Sequence, residues 1–158
     1  MHEVDSRRVY EFDLSGQFSF GNLSESSLKE IYRDGRVASH LLEVQLEHWF
    51  PELKHVKGCK GHDHVSRHNE DVLYDAKSFT RGGCKFMPSN MLGTGRSFDA
   101  GSFAEKTSNM QYIICDIVDF PRVRVVFREG RELASEYPTG VISPNKRCEI
   151  FTDNKGGA

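Results

Sequence analysis

The chain has 158 residues, 37% hydrophobic, 28% charged and 11% aromatic, the composition of a globular domain and not of a disordered or fibrous chain. Its 21 basic and 23 acidic side chains leave a net charge of −2, which excludes a polybasic, histone-like protein but allows a basic face balanced by acids elsewhere. At this length a fold buries roughly 70% of the surface of its extended chain, so no disulfide or metal staple is required.

No apolar run approaches the ~20 residues needed to span a bilayer. The amino terminus has no signal-peptide character, which predicts a cytoplasmic, intracellular protein. Residues 1–22 alternate apolar and polar around Val9, Phe12, Leu14, Phe18 and Phe20, predicting an N-terminal arm or hairpin that turns at Gly16. Ser24 is an N-cap for a short helix carrying Leu28, Ile31 and Tyr32, which Gly35 interrupts. A second helix is predicted over 37–50, with Val37, Leu41 and Val44 on one stripe and Pro51 ending it.

The middle of the chain predicts strands over 53–60, 62–66 and 71–80, with turn residues His68, Asn69, Glu70 and Asp71 between the last two. Residues 81–98 hold Gly82, Gly83, Pro88, Gly93 and Gly95 and read as one long loop, followed by a short helix over 99–108. An apolar run over 112–118 reads as a buried strand and the alternation over 122–127 as a half-exposed one. Glu129 and Gly130 read as a turn, 141–142 and 148–151 as short strands, and 152–158 as a flexible tail. Together they predict a single domain over 1–158 of the α/β, mixed α+β class, with a central mixed sheet flanked by helices.

The chemistry is concentrated between Gly61 and Phe79. Asp75 and Lys77 are two apart on a predicted strand, so both side chains leave one face, while Ala76 turns to the other with Tyr74. Asp63, near the start of the preceding antiparallel strand, is expected beside Asp75. Two carboxylates can hold a hard, oxygen-seeking Mg²⁺ with positions left for water and phosphate. A lysine there can hold the attacking water or offset charge developing on phosphate. Without a cation, the two carboxylates repel and one titrates high.

These residues resemble the PD-(D/E)XK nuclease superfamily: Asp63 stands for the first acid and Asp75-Ala76-Lys77 for the (D/E)XK element. The resemblance covers roughly residues 36–127; His62 occupies the position of the motif's proline. It implies a restriction-endonuclease-like core, a helix followed by a β-hairpin and further strands. It also implies metal binding by Asp63, Asp75 and the Ala76 carbonyl, a water-positioning Lys77, and an added acid from the helix, Glu43 or Glu47. The implied activity is Mg²⁺-dependent cleavage of double-stranded DNA, with Mn²⁺ able to substitute, leaving 5′-phosphate and 3′-hydroxyl ends. The expected enzyme is most like a small type II restriction endonuclease acting as a homodimer. Arg81, Lys85, Asn90 and Arg96, just after the proposed catalytic strand, are the expected DNA contacts.

Three alternatives share these residues. A phage-type Holliday-junction resolvase would have the same core and size. Cys59, His62, His64 and His68, with Cys84, have zinc-compatible spacing and would suit an HNH-type nuclease or a zinc-stabilised binding module. Neither of the latter finds paired cysteines, and no helix begins after Lys77. Cys115, within an apolar run, reads as a core residue, and no signal points to oxidation of any of the four cysteines.

Overall fold

The chain's apolar residues sort onto the two faces of one sheet, and helices cover both. The computed structural model describes residues 3–16, 19–58 and 61–153; Phe18, Cys59 and the last five residues of the predicted tail lie outside them. In chain order the first elements are β1 (Tyr10–Asp13), α1 (Glu25–Tyr32), α2 (Gly35–Trp49), β2 (Leu53–His55), β3 (His64–Ser66) and β4 (Leu73–Phe79). Then come β5 (Cys84–Lys85), α3 (Ala100–Ser108), β6 (Met110–Asp116), β7 (Arg122–Glu129), α4 (Gly130–Glu136), β8 (Val141–Ile142) and α5 (Arg147–Ile150).

Among the described residues, six strands form the main sheet in the order β1-β7-β6-β4-β3-β2. β4 and β6 run parallel; the other pairings are antiparallel. This is the mixed central sheet flanked by helices that the sequence predicts. Tyr112 to Ile117 are buried, as suits a central strand covered on both sides. On one face Ala38, Leu42 and Leu46 of α2 pack with Tyr74, Ile113, Cys115 and Phe127. On the other, Phe103 of α3, Leu133 of α4 and Ile150 of α5 pack with Phe79, Tyr112, Ile114 and Val126. Each large side chain so buried contributes about 1.5–3 kcal/mol.

Both predicted amino-terminal helices form. Ser24 accepts the Ser27 N–H, and Asp34 accepts the Arg36 N–H and starts α2 earlier than the hydrophobic stripe indicates. Several expectations are corrected. Residues 10–13 of the N-terminal arm pair with β7, far away in sequence, as an edge strand of the sheet. The 81–98 segment is not one plain loop: β5 pairs with β8, and Cys84, Phe86, Met87 and Met91 are buried. Glu129-Gly130 opens α4 instead of making a turn, and 148–151 is largely helical. The tail is tied down at its start, where the Asp153 carboxylate accepts the Val9 N–H at 2.6 Å. No helix among the described residues is long and apolar enough to cross a membrane.

Candidate active site

β3 is short and β4 is long, and this difference creates the site. His64 pairs with Tyr74 and Val65 with Leu73. One step further, the Asp63 N–H also turns to the Tyr74 carbonyl, at 2.9 Å, and the Asp63 side chain reaches along β4 to accept the Ala76 N–H and lie beside Asp75. The twelve-residue separation of the two acids is therefore that of a short hairpin, which brings both carboxylates to one spot. Beyond Asp63 the chain turns away through Gly61, whose φ of +79° suits glycine. The far half of β4 is left paired only to β6.

That open edge has its own polar groups. Tyr74 points its carbonyl towards β3, so alternation along the strand turns the N–H and C=O of Ala76 the same way. The Ala76 N–H donates to Asp63 Oδ2 at 2.9 Å, and the Ala76 carbonyl emerges beside it. Tyr74 and Ala76 side chains pack on the α2 face, while Asp75 and Lys77 take the α3 face.

Asp75 is 6% exposed and shares a hydrogen bond with Asp63. Burial pushes its carboxyl up to about 6, and the proton shared with Asp63 and the Asp63 charge push the same way. Two ammonium groups oppose this. Lys77 Nζ lies 3.3 Å and Lys106 Nζ 3.8 Å from Asp75 Oδ2. The result is a charge-balanced cluster of two acids and two lysines, in which the acids remain close enough to repel. Tyr112, across β6 from Asp75, buries its hydroxyl with no hydrogen-bond partner among the described residues, and burial and the nearby Asp75 raise its pKa.

Among the described residues no group of three or more His, Cys, Asp or Glu side chains is arranged to hold a metal. The donor set that does converge is two carboxylates and one backbone carbonyl, all oxygen. It fits Mg²⁺, which keeps several of its waters and needs few protein ligands. The Asp75 carboxyl, raised chiefly by burial, is a site where a bound cation would favour the ionised form.

The structure brings together Asp63, Asp75, Ala76 and Lys77 but does not add the expected helix acid. Glu43 Oε2 faces His55 Nε2 at 3.4 Å and His40 Nδ1 at 3.9 Å. Glu47 accepts from the His55 N–H at 3.1 Å and pairs with Arg67 at 3.1 Å. Both acids sit on the α2 side and tie that helix to the β2–β3 hairpin. The zinc-compatible residues also separate. His64 is buried with Nε2 2.7 Å from the Glu43 carbonyl, His68 is exposed, and the Cys84 thiol lies in the apolar core, pushed up to about 12 by burial. A thiol held protonated there does not offer the thiolate that zinc needs.

Clefts flank the acid–lysine cluster. One, of about 650 Å³, is lined by Lys77, Ser78, Thr80 and Lys85 together with the start of α2. The other, of about 470 Å³, is lined by Asn90, Lys106 and His62, among others. Lys85 thus shares a cleft with Lys77, and Asn90 shares one with Lys106. Arg81 instead reaches to 4.0 Å from Glu30 of α1, and Arg96 is exposed in the turn after Gly93. Lys106 is the site residue that sequence reasoning missed. Its only signal is indirect: Leu73 pairs with Met110 in the parallel β4–β6 ladder, so the last turn of the intervening helix must lie beside early β4.

No protein-family model matches the chain, and neither does any curated protein or solved structure.

Proposed function

We propose that the chain is a Mg²⁺-dependent endodeoxyribonuclease of the PD-(D/E)XK type. The observation that carries this is Asp63 held next to Asp75 at an open strand edge, with Lys77 on the same face and the Ala76 carbonyl beside them. The order of helix, hairpin and further strands around these residues supports the same reading.

Asp63, Asp75 and the Ala76 carbonyl would hold the cation, which supplies charge neutralisation at phosphate and a more acidic bound water. Lys77, paired here with Asp75, would hold the attacking water by hydrogen bonding. It also stabilises the negative charge that grows on the phosphate oxygens. The water oxygen bonds to phosphorus, the bond from phosphorus to the 3′ oxygen breaks with its electron pair going to that oxygen, one water proton leaves to solvent and the 3′ oxygen takes a proton from solvent. A 5′-phosphate and a 3′-hydroxyl remain. Mn²⁺, also content with oxygen ligands, substitutes.

Double-stranded DNA is the proposed substrate. Lys85 and Asn90 sit where a strand crossing the Asp75 edge would pass. One active site per chain cuts one strand, so cutting both calls for a two-fold homodimer on DNA. Incubating purified protein with plasmid and phage DNA, with and without Mg²⁺, tests the proposal. Discrete Mg²⁺-dependent fragments support it in its sequence-specific form, and cleavage confined to a four-way junction replaces that form with a structure-specific nuclease. Folded protein that cuts nothing with Mg²⁺ or Mn²⁺ overturns it.

A further inference from the structure

The cleft on the α3 side of Asp75 has a two-part lining. Its inner wall is apolar, made by the half-buried Leu73 and Pro88 and the edges of the otherwise buried Met91 and Met110. Its outer part is polar, with Asn90, Asn109 and Ser102 supplying amide and hydroxyl groups beside the Glu105 carboxylate and the His62 ring. Lys106 belongs to both the cleft and the catalytic cluster, since it lines the one while its Nζ lies 3.8 Å from Asp75 Oδ2 in the other. A ligand in the cleft therefore has its charged end at the reacting centre.

A nucleobase matches this lining. It has apolar π faces for the two thioethers and a planar edge of donors and acceptors for the amides. At about 470 Å³ the cleft holds a base with its sugar but not a stacked base pair in place. A base reaches it only when unpaired or drawn out of the duplex. Other substrates with anionic ends lack the combination of flat apolar faces and a hydrogen-bonding edge.

We infer that this cleft is a nucleotide subsite, which takes one unpaired deoxynucleotide flanking the scissile phosphate, with Lys106 on its phosphate. The inference rests on the nuclease reading and deepens it by naming what the enzyme recognises beside the cut.

The test uses the full chain without metal. 2-Aminopurine deoxyribonucleoside and its 5′-monophosphate are titrated by fluorescence into wild-type protein, Ser102→Tyr and Lys106→Gln. Ser102 is exposed on α3, so a tyrosine there fills the cleft without entering the core. Wild type should bind both ligands, and Ser102→Tyr should weaken both about tenfold or more. Lys106→Gln should weaken the monophosphate and spare the nucleoside. Should Ser102→Tyr misfold by circular dichroism, Asn109→Tyr, also at an exposed position, takes its place. A second arm compares wild type and the cleft-filled variant on a fully paired duplex and on one with a single extrahelical nucleotide. Preference for the extrahelical substrate, lost on filling, supports a strand nucleotide. Binding of free nucleotide with no such preference, or equal binding by the filled variant, overturns the inference. Wild type that binds nucleotide but cleaves nothing counts against the nuclease reading alone.

Discussion

Asp75 is the residue at which stability and the proposed activity pull apart. Its carboxyl titrates at about 6 in the folded protein against 3.8 for a free side chain, chiefly because it is buried. The folded state thus holds the proton more tightly than the unfolded one, and its contribution is complete below about pH 4. That contribution is lost as the pH rises through about 6, at a cost on the order of 3 kcal/mol. Asp75→Asn carries no such charge. It should therefore be more stable than wild type near pH 8, with the difference closing as the pH falls to about 4, measured by urea denaturation at each pH. The same variant, like Asp63→Ala, should lose DNA cleavage by at least about a hundredfold, since each removes an oxygen from the proposed metal set. Mg²⁺ should raise the melting temperature of wild type near pH 8 and have a smaller effect at about pH 4.5, where Asp75 is protonated and one carboxylate of the proposed set is lost to the cation.

Among the elements, α3 and α4 depend on a close backbone approach at Gly130. A Cβ built there would lie 2.1 Å from the Thr107 carbonyl oxygen and 2.6 Å from that of Met110. These carbonyls belong to the junction where α3 gives way to β6, so the start of α4 is seated directly on it. Gly130→Ala must push the two backbones apart and should destabilise the fold by about 1–3 kcal/mol. Because α3 carries Lys106, the shift should also lower cleavage in folded protein. Thermal denaturation and a plasmid assay on one preparation check both outcomes. Asp99 accepts the Ser102 N–H at 2.9 Å and starts α3 on the same principle that Asp34 and Ser24 start their helices.

Across the whole molecule, the carboxy-terminal segment is fastened to the sheet by one buried acid. Asp116, at the end of β6, has a side chain 1% exposed and accepts from Arg124 of β7 at 2.7 Å and from Arg147 of α5 at 2.9 Å. Arg147 continues to Asp119 at 2.7 Å, and Arg124 lies over the Phe151 ring. Asp116→Ala would leave two partly buried guanidinium groups without their shared anion. It should cost about 3–5 kcal/mol, read from chemical denaturation. The proposed two-fold assembly belongs to this scale too. Analytical ultracentrifugation with and without a cognate duplex should show two chains per duplex, and a single chain on doubly cut DNA would count against the dimer.

Local chemistry in the sequence determined the helix starts at Ser24 and Asp99, the turn at Asn69, the buried β6 run and the placing of Asp75 and Lys77 on one strand face. Each depends on neighbours a few residues away, through capping, turn geometry or the alternation of side chains. The proximity of Asp63 to Asp75 was also legible, because a short hairpin joins them. Tertiary structure alone decided the rest. Long-range pairing placed residues 10–13 against β7 and Cys84–Lys85 against β8, joining segments whose own patterns do not reveal their partners. Packing directed Glu43 and Glu47 to His55 and Arg67 on the α2 side, although helical spacing made them equally good candidates for the metal. Lys106 reached Asp75 only because β4 and β6 run parallel, which requires a crossover that returns α3 to the start of β4. Side-chain types and short spacings specify what the groups at this edge can do, while the crossover and the sheet order specify which of them meet.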